Sequence, residues 1–323
     1  MTLAIQRLAD ARNITKNLGL AALTLCALLL TACGGGSGTT ASTAPSSATS
    51  CDPNVPITAE QCGSLVIGFT DADGDFLNYT VDVTSLSLET ANGRIVETLP
   101  RTTRINFTDY VDLTEFVTRA TIPPGTYVAG TIRVDYSDAE VFVETDGLSN
   151  QAVVTHLDGA RLTATELTII LSDRDLLVIT RGRPAFLQLD FDLAASHQVD
   201  IVPTPAMAAS EQFIVAEIEP VDEKNIRVRG PVVEVDETAM TYTVDIRPFN
   251  DRQGEFGEAT VYINDDTEFE VDELMYTGSE GLRALSAAGA GTVTVAAGSL
   301  SVADREFIAS MVLAGSSVPG IDR

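Results

Sequence analysis

The chain has no tryptophan, two histidines and four cysteines, and its Lys and Arg total 20 against 46 Asp and Glu, a formal net charge of −26. Each shortage excludes something. Without Trp, the aromatic platforms on which sugar rings stack reduce to tyrosine, which weakens both a glycosidase and a sugar-binding reading. The excess of negative charge repels phosphate backbones and argues against nucleic acid as a partner. The histidines, His156 and His197, lie far along the chain from Cys51 and Cys62, so a zinc site there lacks ligands. The nucleophile elbow G-x-S-x-G, the P-loop and H-E-x-x-H are all missing. His156 beside Asp158 in "THLDG" is an isolated loop histidine. An envelope hydrolase using two carboxylates has no motif to pick its acids from so many. The apolar run "LGLAALTLCALLL", Leu18 to Leu30, is 13 residues long, short of the roughly 20 needed to span a bilayer.

That run follows Arg7, Arg12 and Lys16 and so reads as the core of an export signal rather than an anchor. It ends in "LTAC", Leu30 to Cys33, which resembles the bacterial lipobox: Leu, two small residues, then the Cys that is diacylated and becomes the mature N-terminus. The resemblance implies a signal peptide over residues 1–32, lipid on Cys33, and attachment to the membrane through that lipid. One acyl chain anchors only marginally, so stable anchoring requires several. Gly34 stands where an Asp would signal inner-membrane retention, which favours the outer membrane, facing the periplasm or the cell surface. Residues 34–50, rich in Gly, Ser, Thr and Ala, have the composition of a flexible tether. Cys26 leaves with the signal, so Cys51 and Cys62 remain, in a compartment where disulfides persist, and a bridge between them is expected.

Beyond the tether the apolar pattern is that of strands. "SLVIGFT" (Ser64–Thr70) is a short, wholly apolar run. Tyr79, Val81 and Val83 alternate with polar residues, and the phase then slips to Leu86 and Leu88, which places a bulge near Thr84–Ser85. Ile132, Val134 and Tyr136 alternate, as do Leu187, Leu189, Phe191 and Leu193, with Asp190 and Asp192 on the polar side. "PPGTY" is a turn, and "DLTEFVTRA" reads as one short helix. Residues 199–212 read as a linker. After it, "IRVRGPVVEVDETAMTYTVDIRPF" is a strand, a turn and a strand, "ATVYINDDTEFEVD" a further strand pair, and "SEGLRALSAAG" a helix. The expected fold is all-β: an antiparallel β-sandwich over 64–198, then a small β-barrel-like domain with one short helix over 213–323, with residues 33–63 forming the tether and disulfide loop.

"LVIGFTDADGDFLNYTVDVTSLSL", "VDLTEF", "IPPGTYVAGTIRV" and "FLQLDFDLAAS" resemble successive blocks of the bacterial domain-of-unknown-function family 4382, over about residues 64–196. Its members are commonly exported or lipid-anchored, and the resemblance carries no catalytic residues with it. The family's turn has Pro where this chain has Asp73. The C-terminal part resembles the small barrels of family 5666 and is expected to adopt an oligonucleotide/oligosaccharide-binding-like barrel, although a fold does not license that ligand class.

The stretch "FTDADGDFLNYTVDV" keeps two readings open. Asp71, Asp73 and Asp75 occupy the first three acidic positions of a calcium loop, but Gly74 comes too early and Asp82 stands where a bidentate Glu belongs. The other reading is a surface turn in which Asp and Gly serve backbone geometry. No cofactor is expected beyond weak calcium at this turn. The function expected is non-enzymatic: a lipid-anchored envelope protein with a binding, adhesive or scaffolding role toward an envelope protein or surface polymer. The alternative is calcium-dependent binding of a glycan or surface polymer.

Overall fold

In a computed structural model, the residues described are 51–52, 60–71, 76–145, 147–171, 176–202, 205–210, 215–218, 225–248, 255–301 and 303–319. The first half supplies β1 (Gly63–Thr70), β2 (Phe76–Thr90), β3 (Ile95–Glu97) and β4 (Thr103–Asn106), a 3-10 turn over Phe107–Tyr110, β5 (Leu113–Ile122) and the 21-residue β6 (Gly125–Thr145). Then come β7 (Leu148–Thr155), β8 (Ala164–Ile170), β9 (Leu177–Ile179) and β10 (Pro184–Asp190). A helical turn over Leu193–Ser196 leads to β11 (His197–Asp200), β12 (Ala206–Ser210) and β13 (Val215–Ile218). These strands form two layers. One runs β13-β10-β1-β5, and the other β11-β12-β7-β6-β2-β3, with β4 on β2 and β8 and β9 on β6.

The alternation read in the sequence sets the faces. Tyr79, Val81 and Val83 are buried, and so are Leu86 and Leu88, because the β2–β6 register shifts between Val83 and Ser85 and brings the second apolar set back to the core. The "PPGTY" turn joins β5 to β6, and the Tyr127 hydroxyl donates to the Pro123 carbonyl at 2.8 Å. Burial pushes that hydroxyl's pKa up to about 12. Among the described residues, strands of this half make three parallel pairings: β1 with β10, β12 with β7, and β5 with the first strand of the second half.

The second half adds β14 (Asn225–Asp236), β15 (Thr241–Asp245), β16 (Glu258–Tyr262), β17 (Glu268–Val271) and β18 (Leu274–Thr277). The helix Gly278–Ala288, β19 (Val293–Ser301) and β20 (Glu306–Ala314) complete it. β14 pairs antiparallel with β15 and β19, β15 with β16, and β19 with β20, while β16 and β20 pair in parallel. The pairings therefore close a ring, β14-β15-β16-β20-β19, around Val228, Tyr242, Val244, Val261, Ala296 and Val312. The helix lies against β17 so closely that a Cβ on Gly281 would fall 2.1 Å from the Phe269 ring. Leu282 and Leu285 are buried, whereas Ala288, three residues further on, is exposed.

Three expectations are corrected. "DLTEFVTRA" is not a helix but the body of β5, buried from Thr114 to Thr118, because it sits between β1 and β14 and its Thr and Val side chains suit a pleated surface. The segment 199–212 is not a plain linker: it holds the end of β11 and all of β12, strands that extend the second layer. β16 and β17 do not pair with each other, as each runs parallel to β20.

Nor does the chain divide at the expected domain boundary. β14 joins β5 through Asn225–Arg227 and continues the first layer into the barrel. Phe116 of β5 packs its ring 5.6 Å from Phe307 of β20 and 6.0 Å from Phe186 of β10. A layer covered on both sides needs apolar residues on both faces, which is why "SLVIGFT" is a continuous apolar run rather than an alternating one. From Cys51 onward the described residues form one compact unit.

Candidate functional site

The residues with chemistry to offer fall at three places. The first is the disulfide that precedes β1. Cys51 and Cys62 are joined by a disulfide, with their Cα atoms 4.9 Å apart and both residues buried. The Arg181 guanidinium donates to the carbonyl of the neighbouring Gln61 at 3.0 Å. Cys33 lies outside the described residues.

The second place is the corner at the ends of β1 and β10. Thr70 and Asp190 are register partners in the parallel pair, so Asp71 emerges beside Phe191. Asp71 is 1% exposed, and its carboxylate accepts the Leu193 backbone N–H at 3.0 Å. This corrects the surface-turn expectation at that residue; Asp73 and Asp75 lie outside the described residues. Asp190 and Asp192 are not simply a solvated strand face either. Asp190 accepts the Asp192 N–H at 3.0 Å, and Asp192, at φ 29°, caps the short helical turn by accepting from Ala195 at 2.9 Å. The acids of "DFD" thus fold the corner. Among the described residues no three His, Cys, Asp or Glu side chains are grouped to hold one metal ion.

The same corner holds His197. Its Nδ1 lies 2.9 Å from the Leu193 carbonyl, which can only accept, so Nδ1 carries the proton and Nε2 accepts from the Tyr79 hydroxyl at 2.9 Å. The Tyr136 hydroxyl is 3.4 Å from that of Tyr79, and Phe76 packs edge-on against the imidazole. Burial pushes the His197 pKa down to about 4, a shift only partly opposed by the bond to Leu193. Tyr79 is fully buried, so this donor–acceptor chain acts on the fold rather than on a ligand in solvent. His156, in contrast, is exposed in a tight turn closed by the Gly159 N–H donating to its carbonyl at 2.9 Å.

The third place, the junction between sandwich and barrel, was not legible in the sequence. Glu115, on β5, is completely buried. Its carboxylate takes the Nε of Arg227 and, at 2.9 Å, the Nε of Arg229, both from β14. Arg227 and Arg229 are two apart on a strand and so share a face; the β5–β14 register sets Arg227 opposite Glu115. Beside them stand Asp109 and Tyr110 of the 3-10 turn. Burial raises the Asp109 pKa against the pull of Arg227 and Arg229, and burial together with Glu115 raises that of Tyr110. A few residues along β5, the Phe256 carbonyl accepts the Arg119 N–H at 2.7 Å and the Thr118 hydroxyl at 3.0 Å. Gly257, at φ 91°, permits this approach: a Cβ there would lie 2.3 Å from the Arg119 carbonyl oxygen. The signal that could have found this site was "IRVR", two bases on one strand face, which require an acid from another strand once buried.

Comparison of the chain with protein families, curated proteins and solved structures finds no match.

Proposed function

We propose that this is a lipid-anchored envelope protein whose folded body binds or scaffolds rather than catalyses. The observation that carries the reading is the Cys51–Cys62 disulfide at the point where the tether ends. Such bridges persist in oxidising compartments, and here the bridge directly follows a short export signal, "LTAC" and a Gly/Ser/Thr-rich spacer. The chemistry of the described sites also fits. The buried Glu115 and Asp71 and the half-buried His197 are each engaged in holding strands and corners, as expected where polar groups serve architecture. In this reading Cys33 carries the lipid in the outer membrane, residues 34–50 hold the body off the surface, and the fused sandwich and barrel present long sheet faces to an envelope protein or surface polymer. Replacing Cys33 by Ser should move the protein from the membrane fraction to the soluble fraction. Unchanged membrane fractionation would overturn the anchor.

A further inference from the structure

The hairpin β17–β18 lies at one end of the barrel's strand order, and among the described residues no strand pairs with the outer edge of β18. Proteins usually blunt such an edge with Lys, Pro or inward-pointing charge. Here the strand is Leu-Met-Tyr-Thr, with Leu274 60% and Met275 62% exposed. The register places these two on opposite faces: Leu274 stands across from buried Val271, and Met275 across from Glu270. On the Met275 face the neighbours continue through Glu270 to Leu313, and alongside through Thr277 and Glu268 to Met311, which is 38% exposed.

The charge around the edge has one sign. Between Asn264 and Leu282 the chain carries Asp265, Asp266, Glu268, Glu270, Asp272, Glu273 and Glu280, and no Lys or Arg. None of these carboxylates is in a described ion pair. The edge is also held in place. Asp272 and Glu273, at φ 49° and 70°, make the tight turn favoured in two-residue hairpins. The Asp272 carboxylate accepts the Ser316 N–H at 2.9 Å, and the Glu273 N–H donates to the Ser317 hydroxyl at 2.8 Å.

We infer that β18 is a docking edge for an extended, basic segment of a partner protein, which adds to the sheet as a further strand. Backbone pairing supplies general affinity, and side chains supply the choice of partner. A segment alternating apolar residues with Lys or Arg fits: strands lie about 4.8 Å apart, so a long basic side chain can reach over β18 toward Glu268 and Glu270. Charge complementarity selects this occupant over a second copy of the chain, whose own net charge is −26. The inference refines the binding role proposed above but does not depend on lipidation, which the Cys33→Ser fractionation reads separately.

The test uses the full chain in neutral detergent and three fluorescein-labelled peptides: alternating Lys-Val, alternating Glu-Val, and a Lys-rich Gly-Pro peptide of matched charge that cannot form a strand. The Lys-Val peptide should bind at least tenfold more tightly than either control, weaken with salt, and slow amide exchange over Leu274–Thr277. Met275→Lys, which adds the missing edge charge at an exposed position, should lower that affinity at least tenfold while leaving the melting temperature unchanged. Equal binding of the two Lys peptides would reduce the effect to diffuse charge and overturn the inference, as would undiminished binding by Met275→Lys or no binding of the Lys-Val peptide. Self-association abolished by Met275→Lys and not competed by the Lys-Val peptide would make a second copy the occupant instead.

Discussion

Replacing Glu115 by Gln removes one negative charge and little else in shape, and should be among the most damaging single changes in the protein. The carboxylate is fully buried, and Arg227 and Arg229 keep about 20% of their side chains exposed. Breaking a buried pair by removing one partner costs about 3–5 kcal/mol, because the charge left behind loses its compensation. Two guanidinium groups are left here, but both still reach some water, so about 2–4 kcal/mol is expected. The companion triple variant, Glu115→Met with Arg227→Leu and Arg229→Leu, removes the charges together and should lie within about 1 kcal/mol of the parent or above it. Urea denaturation at neutral pH, followed by circular dichroism because the chain has no Trp, measures both. The triad also joins β5 to β14, so the Gln variant should unfold with a shallower, less cooperative transition than the parent. A loss below about 1 kcal/mol in the Gln variant would refute the view that this triad couples sandwich and barrel.

Three further outcomes are expected. His197 has a folded pKa near 4 against an ordinary 6.5, so the unfolded chain binds the extra proton first. Its contribution is complete above about pH 6.5 and is lost as pH falls through 4, up to about 3 kcal/mol. His197→Gln should flatten that part of the melting-temperature profile relative to the parent, and an identical slope in both proteins would contradict the assignment. Reducing the Cys51–Cys62 bridge should lower stability by roughly 3 kcal/mol on the chain-entropy account, measured by urea titration with and without reductant; no change would show that the loop is held without it. Asp71→Ala should cost about 2 kcal/mol, as for a hydrogen bond to a charged acceptor, equally in calcium and in chelator. A loss seen only in calcium would make the acidic turn a metal site.

How far the sequence reaches can be seen at particular residues. It determined the strands wherever neighbours along the chain carry the information: the alternation at Tyr79, Val81 and Val83, the phase slip at Thr84–Ser85, the "PPGTY" turn, and the helix following Gly278. It also pointed to the disulfide, since reading Cys26 as part of an export signal and Cys33 as a lipid site leaves Cys51 and Cys62 to pair. Only the tertiary structure decided the rest. "DLTEFVTRA" has a composition that suits either a helix or a strand, and it is a strand because β1 and β14 flank it. Residues 199–212 look like a linker until β7 offers an edge on which β12 can pair. Asp71 reads as a surface acid because nothing nearby in the chain shows that Leu193 will bring an N–H to it from 122 residues away. Glu115 finds Arg227 and Arg229 across a similar distance, 112 and 114 residues. Periodicity and turn chemistry act within a few residues. Burial of a charge is settled by which distant strand arrives beside it, and that depends on the packing of the whole fold.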